Sequence, residues 1–172
     1  MNGSQNGGAE PKHTISLYVA NKPGVLIRIA LVFARRGYNI DSLVVSEDQN
    51  PDFSRMTIMA RGDKKTLIQI IRALNKLVDV VHATDHTGDK IIEREMALLK
   101  VNCPAERRSE ILQMAHVFNC ETLDLSQDTV TFQVTGETGK LDTVQTMFSP
   151  YGVIEMWRTG KVLIAPGALS TS

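Results

Sequence analysis

The most constraining feature of this 172-residue chain is one order of hydrophobic periodicities that occurs twice. In the first half, apolar residues at alternate positions give way to an i, i+3, i+4, i+7 stripe. Two more alternating runs, a second stripe and a last alternating run follow. Alternation is typical of a half-buried strand, and the stripe is typical of an amphipathic helix. Each half therefore predicts the order βαββαβ.

Turn residues and changes of period set the predicted bounds. In the first half, strands are predicted over 13–20, 40–46, 53–61 and 78–84, with helices beginning at Val25 and after Asp63, which we expect to cap its helix. In the second half, strands are predicted over 96–103, 121–125 and 129–135, helices within 104–118 and 140–148, and one or two strands within 151–164. Two copies of this order predict an α+β fold of two tandem ferredoxin-like sandwiches.

The domain organisation follows from these elements and from polar segments between them. The predicted order is a flexible N-terminal tail over 1–12, a first domain over 13–87, a linker over 88–94, a second domain over 95–167 and a tail over 168–172. Helices on one face of a sheet leave the other face uncovered. In the first domain that face would carry Ser16, Tyr18, Thr57 and Met59. Uncovered faces and unpaired edge strands favour pairing with another copy or another protein, so we expect self-association.

Composition disfavours several classes of protein. Nineteen basic residues balance nineteen acidic ones, whereas a nucleic-acid-binding protein gains affinity from a basic surface. The longest apolar stretch, 24–34, is interrupted by Arg28 and is too short for a membrane span. Cys103 and Cys120 form no C-x-x-C motif, so we expect free thiols in a reducing cytoplasm. We therefore expect a cytoplasmic protein with no nucleic-acid or membrane partner.

Catalytic patterns are weak. The sequence contains no G-x-S-x-G elbow and no glycine-rich phosphate loop. His82, Asp85 and His86 form the best metal-like cluster, which leaves a small metal-dependent enzyme as one alternative. Surface histidines are the ordinary interpretation of this cluster. We also expect solvent-exposed positions for His13 and His116, and for the carboxylates Asp41, Glu47, Glu93 and Glu95.

One turn has a physical binding mechanism: the run from Asn21 to Leu26 between the first strand and the first helix. A helix N-terminus presents unpaired N–H groups and partial positive charge, so it attracts an anion. Gly24 lets a ligand approach the backbone, Pro23 stiffens the entry, and Asn21 can both donate and accept. These residues suit a free amino acid held by its main-chain groups. A helix cap with a closely packed glycine is the structural alternative.

A longer series of motifs strengthens the binding interpretation. The series comprises N-x-P-G-V-L-x-R (21–28), F-A-R-R-G-Y-N-I-D-S-L-V-V (33–45), S-R-M-T-I (54–58), L-N-K-L-V-D-V (74–80), I-I-E-R-E-M-A-L-L-K-V (91–101), G-K-L-D (139–142) and R-T-G-K-V (158–162). The run 21–63 resembles the ACT domain, an amino-acid-sensing ferredoxin-like module. The whole series, over about residues 14–167, resembles the regulatory small subunit of acetolactate synthase, also called acetohydroxyacid synthase.

This resemblance implies a protein without catalytic activity or a cofactor of its own. Members of the family bind the catalytic large subunit, which holds thiamine diphosphate, raise its activity and confer feedback inhibition by valine or another branched-chain amino acid. In the family, ACT domains pair side by side and the effector lies between them. The implied effector-binding residues are Asn21, Pro23, Gly24, Val25 and Leu26 from one subunit with Asn39 and Ile40 from its partner.

Two departures from the family pattern bear on the effector. Ile27 stands where the family often has serine, and Ala20 stands where an acidic residue is frequent. Either difference could change which amino acid is bound or how tightly. The chain lacks a GDG-type thiamine-diphosphate motif, which agrees with a non-catalytic subunit. A free-standing ACT protein that senses an amino acid and controls another partner is the main alternative.

Overall fold

The computed structural model describes residues 10–171 of the chain. The described residues form two compact units. The N-terminal unit contains the chain up to Ile91 together with the segment that begins at Ala165, and the C-terminal unit is Ile92–Ile164. The N-terminal unit is thus built from two separate pieces of sequence.

The N-terminal unit is a four-stranded antiparallel sheet with two helices. Its elements are β1 Lys12–Ala20, α1 Val25–Ala34, β2 Asn39–Glu47, β3 Phe53–Arg61, α2 Lys64–Leu74 and β4 Val80–Asp85. The strand order is β2-β3-β1-β4, so the first strand in sequence lies in the interior of the sheet. The predicted elements of this half are all present.

Local sequence explains where these elements begin and end. Asp63 precedes α2 in extended conformation, and its carboxylate accepts the N–H of Thr66, as the capping prediction required. Apolar residues of α1 and α2 lie on the core side of the sheet, where Ile29, Phe33 and Ile70 are fully buried. The inward residues of β1 and β3 complete this core, so one face of the sheet carries the packing energy.

The C-terminal unit repeats the same topology. Its elements are β5 Ile92–Asn102, a 3₁₀ turn at Ala105–Arg107, α3 Arg108–Val117, β6 Glu121–Leu125, β7 Thr129–Gly136, α4 Thr138–Phe148, a 3₁₀ turn at Ser149–Tyr151, β8 Val153–Arg158 and β9 Val162–Ile164. The strand order is β6-β7-β5-β8, with β9 paired to the beginning of β5. The α+β prediction of two ferredoxin-like sandwiches is confirmed.

The domain boundaries differ from the predicted ones. The linker predicted over 88–94 ends early, because Ile92–Arg94 pairs with β9 and is already strand. The tail predicted over 168–172 includes Thr171, which contacts the N-terminal unit. The tail predicted over 1–12 falls mostly on residues 1–9, outside the described residues, and Lys12 is already part of β1.

The outer face of the N-terminal sheet is less open than predicted. Ser16 and Thr57 are buried, with Ser16 only 5% exposed, whereas Tyr18 and Met59 are half-buried. The expectation of an uncovered face is therefore wrong at its centre. The reason at Ser16 is that its hydroxyl lies against the carbonyl of Thr171, a contact between residues 155 positions apart that no local pattern predicts.

Two other exposure predictions are wrong. His13 is buried, and its Nε2–H donates to the carbonyl of Gly62 at 2.9 Å. Glu95 is only 8% exposed and receives two hydrogen bonds from Arg158 at 2.8 and 2.9 Å. Both side chains are buried because each has a partner distant in sequence. His116 is exposed as predicted, and Cys103 and Cys120 are free thiols as predicted.

Candidate functional site

The turn between β1 and α1 is held in place by backbone hydrogen bonds. Ala20 donates its N–H to the carbonyl of Asp79 at 2.8 Å, and Asn21 donates to the carbonyl of Asp52 at 2.7 Å. The side-chain amide of Asn21 donates to Glu47 Oε2 at 3.2 Å and to the carbonyl of Pro51 at 3.0 Å. The turn is therefore fixed to the β2–β3 loop, with Asn21 exposed at its surface.

Gly24 determines how α1 begins. Its φ of 84° and ψ of −8° are left-handed, a conformation that glycine adopts without the penalty of a Cβ. No described side chain caps the helix, and the first turn carries no acidic residue. The N–H groups of Leu26 and Ile27 have no carbonyl partner within a helix, and the helix dipole adds positive potential. This first turn can hydrogen-bond the carboxylate of a ligand.

A cation lies beside the same turn. Arg28 Nη2 is 2.6 Å from Asp79 Oδ2. The other terminal nitrogen, Nη1, is 3.5 Å from the point where a Cβ on Gly24 would stand. Asp79 thus holds the guanidinium next to the glycine while its own carbonyl binds Ala20. Sequence reasoning placed Arg28 within the motif but assigned it no contact.

The apolar residues of the turn separate into two groups. Val25 is buried in the core, so its side chain is not available to a ligand. Leu26 and Leu31 are partly exposed, and Ile27 is 66% exposed. Arg28 is the single charged residue of α1, so the helix is apolar on nearly every side. A helix of this kind is normally buried on all sides. The outward side of α1 is thus an apolar surface suited to a partner.

The two remaining predicted residues lie elsewhere in the unit. Asn39 and Ile40 begin β2, where they pair with Arg61 and Ala60 at the end of β3. The turn at Asn21 lies at the opposite end of the sheet, roughly 27 Å away along the strands, since a strand advances about 3.4 Å per residue. Asn39 is exposed, and Ile40 packs partly against the core. One chain therefore brings residues 21–26 together but not with Asn39 and Ile40.

The sequence did not predict a cleft of about 440 Å³ that is lined partly by residues 36–38, directly before Asn39. Its lining includes Tyr38, Arg36, Arg61, Gly62 and Lys64. The Tyr38 hydroxyl donates to the carbonyl of Asp63, and burial of the ring raises the pKa of Tyr38. A Cβ on Gly62 would lie 2.2 Å from the ring of Tyr38, so glycine is required for this close approach.

The structure does not assemble the predicted metal-like cluster. His82 Nε2 lies 2.6 Å from Thr84 Oγ1, whereas Asp85 accepts the N–H of Thr87 at 2.9 Å. His86 contacts Ser16 instead of His82. Within residues 10–171, no group of three or more His, Cys, Asp or Glu side chains could hold a metal ion.

A different arrangement occurs at His86. Its Nε2 is 2.8 Å from Ser16 Oγ, and its Nδ1 is 3.2 Å from Asp89 Oδ2. This connectivity resembles a Ser-His-Asp triad, which the sequence motifs did not reveal. The Ser16 hydroxyl is buried and donates to the carbonyl of Thr171 at 3.2 Å, so it is not presented to a substrate. The arrangement connects structural elements instead of exposing a nucleophile.

The fold and the glycine turn together define an ACT-domain protein. A family model described as "AHAS small subunit-like ACT domain" matches residues 15–82, and one described as "Small subunit of acetolactate synthase" matches residues 94–167. The two matches cover both units in order. The chain belongs to the acetolactate synthase small-subunit family.

Individual relatives agree over nearly their whole length. The probable acetolactate synthase small subunit of Archaeoglobus fulgidus is 42% identical over 156 residues, which is 91% of this chain and 98% of that protein. The acetolactate synthase small subunit of Mycolicibacterium smegmatis is 38% identical over 91% of this chain and 92% of that protein. The crystal structure of the small subunit from Thermotoga maritima matches with a TM-score of 0.82 at 37% identity, covering 92% of this chain and 99% of that one.

The helices of the described part of the chain were also compared with the length and hydropathy of a membrane span. Between residues 10 and 171, no helix is both long and apolar enough to cross a bilayer.

Proposed function

We propose that this chain is the non-catalytic regulatory subunit of acetolactate synthase. It binds the catalytic large subunit in the cytoplasm, raises its activity and makes it sensitive to valine or another branched-chain amino acid. Thiamine diphosphate belongs to the catalytic subunit. The observation that carries the effector proposal is the left-handed Gly24, which opens the uncapped first turn of α1 to a carboxylate.

The chemistry of the turn suits the main-chain groups of an amino acid. The carboxylate accepts from the first-turn N–H groups of α1, with the Arg28 guanidinium nearby. The Asn21 amide nitrogen is already bonded to Glu47 and Pro51, which leaves its carbonyl oxygen to accept from the ammonium group. Leu26 offers a partly exposed apolar contact for an aliphatic side chain. A branched-chain amino acid satisfies all three contacts.

The complete effector site requires two chains. Asn39 and Ile40 lie at the far end of the sheet from the turn, so they join it only when a second copy supplies them. Two features of the N-terminal unit support such a homodimer. The outward side of α1 is apolar, with Leu26, Ile27 and Leu31 exposed, and β2 and β4 are edge strands that a neighbour could extend.

Binding between two chains explains how a small metabolite controls a large partner. The effector favours one arrangement of the dimer and so changes how the catalytic subunit is held. Coupling between two such sites is ordinarily ~1–3 kcal/mol. A feedback sensor works when its affinity matches metabolite concentrations, so we expect dissociation constants from micromolar to millimolar, about −8 to −4 kcal/mol.

Calorimetric titration tests the proposal directly. Valine, leucine and isoleucine are titrated into the purified chain, alone and with the catalytic subunit, and D-valine serves as the control of equal composition. We expect saturable heat from at least one L-amino acid and a stoichiometric complex with the catalytic subunit. Absence of heat from all three would contradict the effector proposal. Failure to form the complex, with effector binding intact, would favour a free-standing ACT sensor.

A further inference from the structure

The last described residues form a strap on the N-terminal unit. We define the C-terminal strap as residues 165–171. Ala165 donates its N–H to Thr171 Oγ1 at 2.8 Å, which closes the segment on itself. The carbonyl of Thr171 accepts from Ser16 Oγ at 3.2 Å and lies 3.2 Å from His86 Nε2. Residues 166–170 are exposed between these two half-buried ends.

His86 is the central group of the anchor. Its side chain is only 10% exposed. Nε2 faces both the Ser16 hydroxyl, at 2.8 Å, and the Thr171 carbonyl, and Nδ1 faces the Asp89 carboxylate at 3.2 Å. A carbonyl and a carboxylate can only accept hydrogen bonds. A neutral imidazole has one N–H, whereas an imidazolium has two. Only the imidazolium donates on both sides of the ring.

We propose that the C-terminal strap is a proton-controlled latch that closes when His86 carries both ring protons and opens when it loses one. In the closed state Nδ1–H donates to Asp89, Nε2–H donates toward Ser16 and Thr171, and the Ser16 hydroxyl donates to the Thr171 carbonyl. If Nε2 is deprotonated, its lone pair draws the Ser16 hydroxyl away and faces the Thr171 carbonyl. If Nδ1 is deprotonated, its lone pair faces a carboxylate.

The direction of the pH effect follows from this donor count. The closed strap prefers the protonated ring, so it is held at low pH and released as pH rises. Opening uncovers the Ser16 hydroxyl at the centre of β1. The latch thereby makes access to the outer face of this sheet depend on proton concentration.

Other ionisable groups near the ring do not substitute for it. Residues 165–171 carry no ionisable side chain. Asp85 is bonded to Thr87, and Lys90 lies with Asp89 on the lining of a cleft of about 350 Å³. His13 is a second histidine of the same unit, but it bonds Gly62 and Thr87, not the strap, so it requires its own control.

Backbone relaxation measured by NMR on the full chain tests the latch. Order parameters of the residue 167–171 amides are recorded from about pH 5.5 to pH 8, together with the ¹³C shift of the His86 ring. We expect order parameters near 0.85 at low pH and below about 0.6 at high pH, with the midpoint at the His86 titration. A strap that stays equally ordered across this range would overturn the proposal.

Variants separate His86 from its neighbours. His86→Gln and Ser16→Ala each remove an anchor, so the strap should be mobile at both extremes of pH. His82→Gln changes an exposed histidine on β4 that does not contact the strap, and it should behave as the unmodified chain does. If His86→Gln kept the pH dependence, or if His13→Gln removed it, the proton would be acting elsewhere. Ser16→Ala provides the test should His86→Gln fail to fold.

Discussion

The two units have the same topology but differ in the turn that follows their first strand. In the N-terminal unit, Asn21 donates its N–H to the loop between the second and third strands. In the C-terminal unit, Cys103 donates to the carbonyl of Asp128, in the equivalent loop, at the same distance of 2.7 Å. Asn21 and Cys103 thus occupy equivalent positions. Asn21 is exposed, whereas Cys103 is fully buried.

The helix that follows also begins differently. The N-terminal unit reaches α1 directly through the left-handed Gly24. The C-terminal unit inserts the 3₁₀ turn Ala105–Arg107 before α3, and α3 carries Glu110 in its first turn. Glu110 accepts from the Tyr151 hydroxyl at 2.6 Å, and the Arg107 guanidinium lies 4.2 Å from the centre of the Tyr151 ring. In the C-terminal unit, a carboxylate of the protein itself thus lies in the first turn of the helix, where it pairs with Tyr151 and Arg107.

This difference shows how one topology can serve two purposes. A helix N-terminus attracts a carboxylate wherever it occurs. Within the described part of the chain, the first turn of α1 has no capping side chain and no acidic residue, whereas the first turn of α3 contains Glu110. The C-terminal unit pairs Glu110 with Tyr151 and contains the buried ion pair of Glu95 and Arg158. The proposed effector site therefore lies in the N-terminal unit, whereas the corresponding region of the C-terminal unit contains internally paired groups.

The largest effect is expected for the Glu95–Arg158 ion pair of the C-terminal unit. Arg158→Ala leaves the Glu95 carboxylate buried without its main partner, and this should destabilise the C-terminal unit by about 3–5 kcal/mol. The same hydrogen bonds raise the pKa of Arg158, so the guanidinium stays charged. Urea denaturation followed by the fluorescence of Trp157, the single tryptophan, measures this loss.

Asp79→Ala is the matched change in the N-terminal unit. Because Arg28 is nearly half exposed, loss of this ion pair should cost about 0–1 kcal/mol, measured by amide exchange of β1. Equal costs in the two units would contradict the contrast between an internally stabilised unit and an open one.

Gly24→Asp should abolish effector binding. The substitution puts a residue with a Cβ at a left-handed backbone position, which is strained. Its carboxylate also lies at the positive N-terminus of α1, where it would repel the carboxylate of the ligand. We expect a loss of at least ~100-fold in valine affinity, about 2.7 kcal/mol, by calorimetry, with binding to the catalytic subunit retained. Ala105→Asp makes the comparable change in the C-terminal unit and should leave the titration unaltered. A normal valine response in Gly24→Asp would show that the effector binds elsewhere.

Asn39→Ala should weaken effector binding by ~1–3 kcal/mol if its side-chain hydrogen bonds become buried at the dimer interface. In the single chain, the side-chain amide of Asn39 makes one long contact, 3.4 Å to Asp41 Oδ1, so it can hydrogen-bond to a second chain. Ser46→Ala, at the opposite end of the same strand, is the control. An unchanged valine titration in Asn39→Ala would remove this residue from the site.

The smallest effect is a change in acid sensitivity. The hydrogen bond from Tyr151, and then that from Arg107, lower the pKa of Glu110. A lowered pKa contributes stability that is present above the ordinary glutamate range and is lost as pH falls through the value in the folded protein. Glu110→Gln should therefore flatten the decline of C-terminal stability between about pH 5 and pH 3, measured by urea denaturation at each pH. An identical decline in both proteins would assign it to other carboxylates.

Sequence was sufficient for what depends on local pattern. Alternation located β3 at Phe53–Arg61 without error, and the Asp63 cap was predicted from its position before an apolar stripe. Pro23 and Gly24 predicted the turn that opens α1. These features follow from periodicity and from residues with restricted or unusual backbone preferences, which neighbouring residues alone determine.

Contacts between distant residues were beyond sequence reasoning. Glu95 and Arg158 are 63 positions apart. No pattern of residues around either of them predicts that they pair. The inward side chain of Val25 and the separation of Asn39 from the turn depend on how the strands are ordered. Likewise, the sequence left open whether 151–164 forms one strand or two, because the three residues of β9 pair only with the beginning of β5.

The return of residues 165–171 to the N-terminal unit has a consequence for biosynthesis. A ribosome delivers β1 early, but it delivers the residue that covers Ser16 only after the entire C-terminal unit. Since domains generally fold as the nascent chain emerges, the first unit folds with one hydroxyl still awaiting its acceptor. The N-terminal unit is therefore completed only by residues made after the C-terminal unit, so a polypeptide truncated before residue 165 would differ from a longer one at the beginning of its fold.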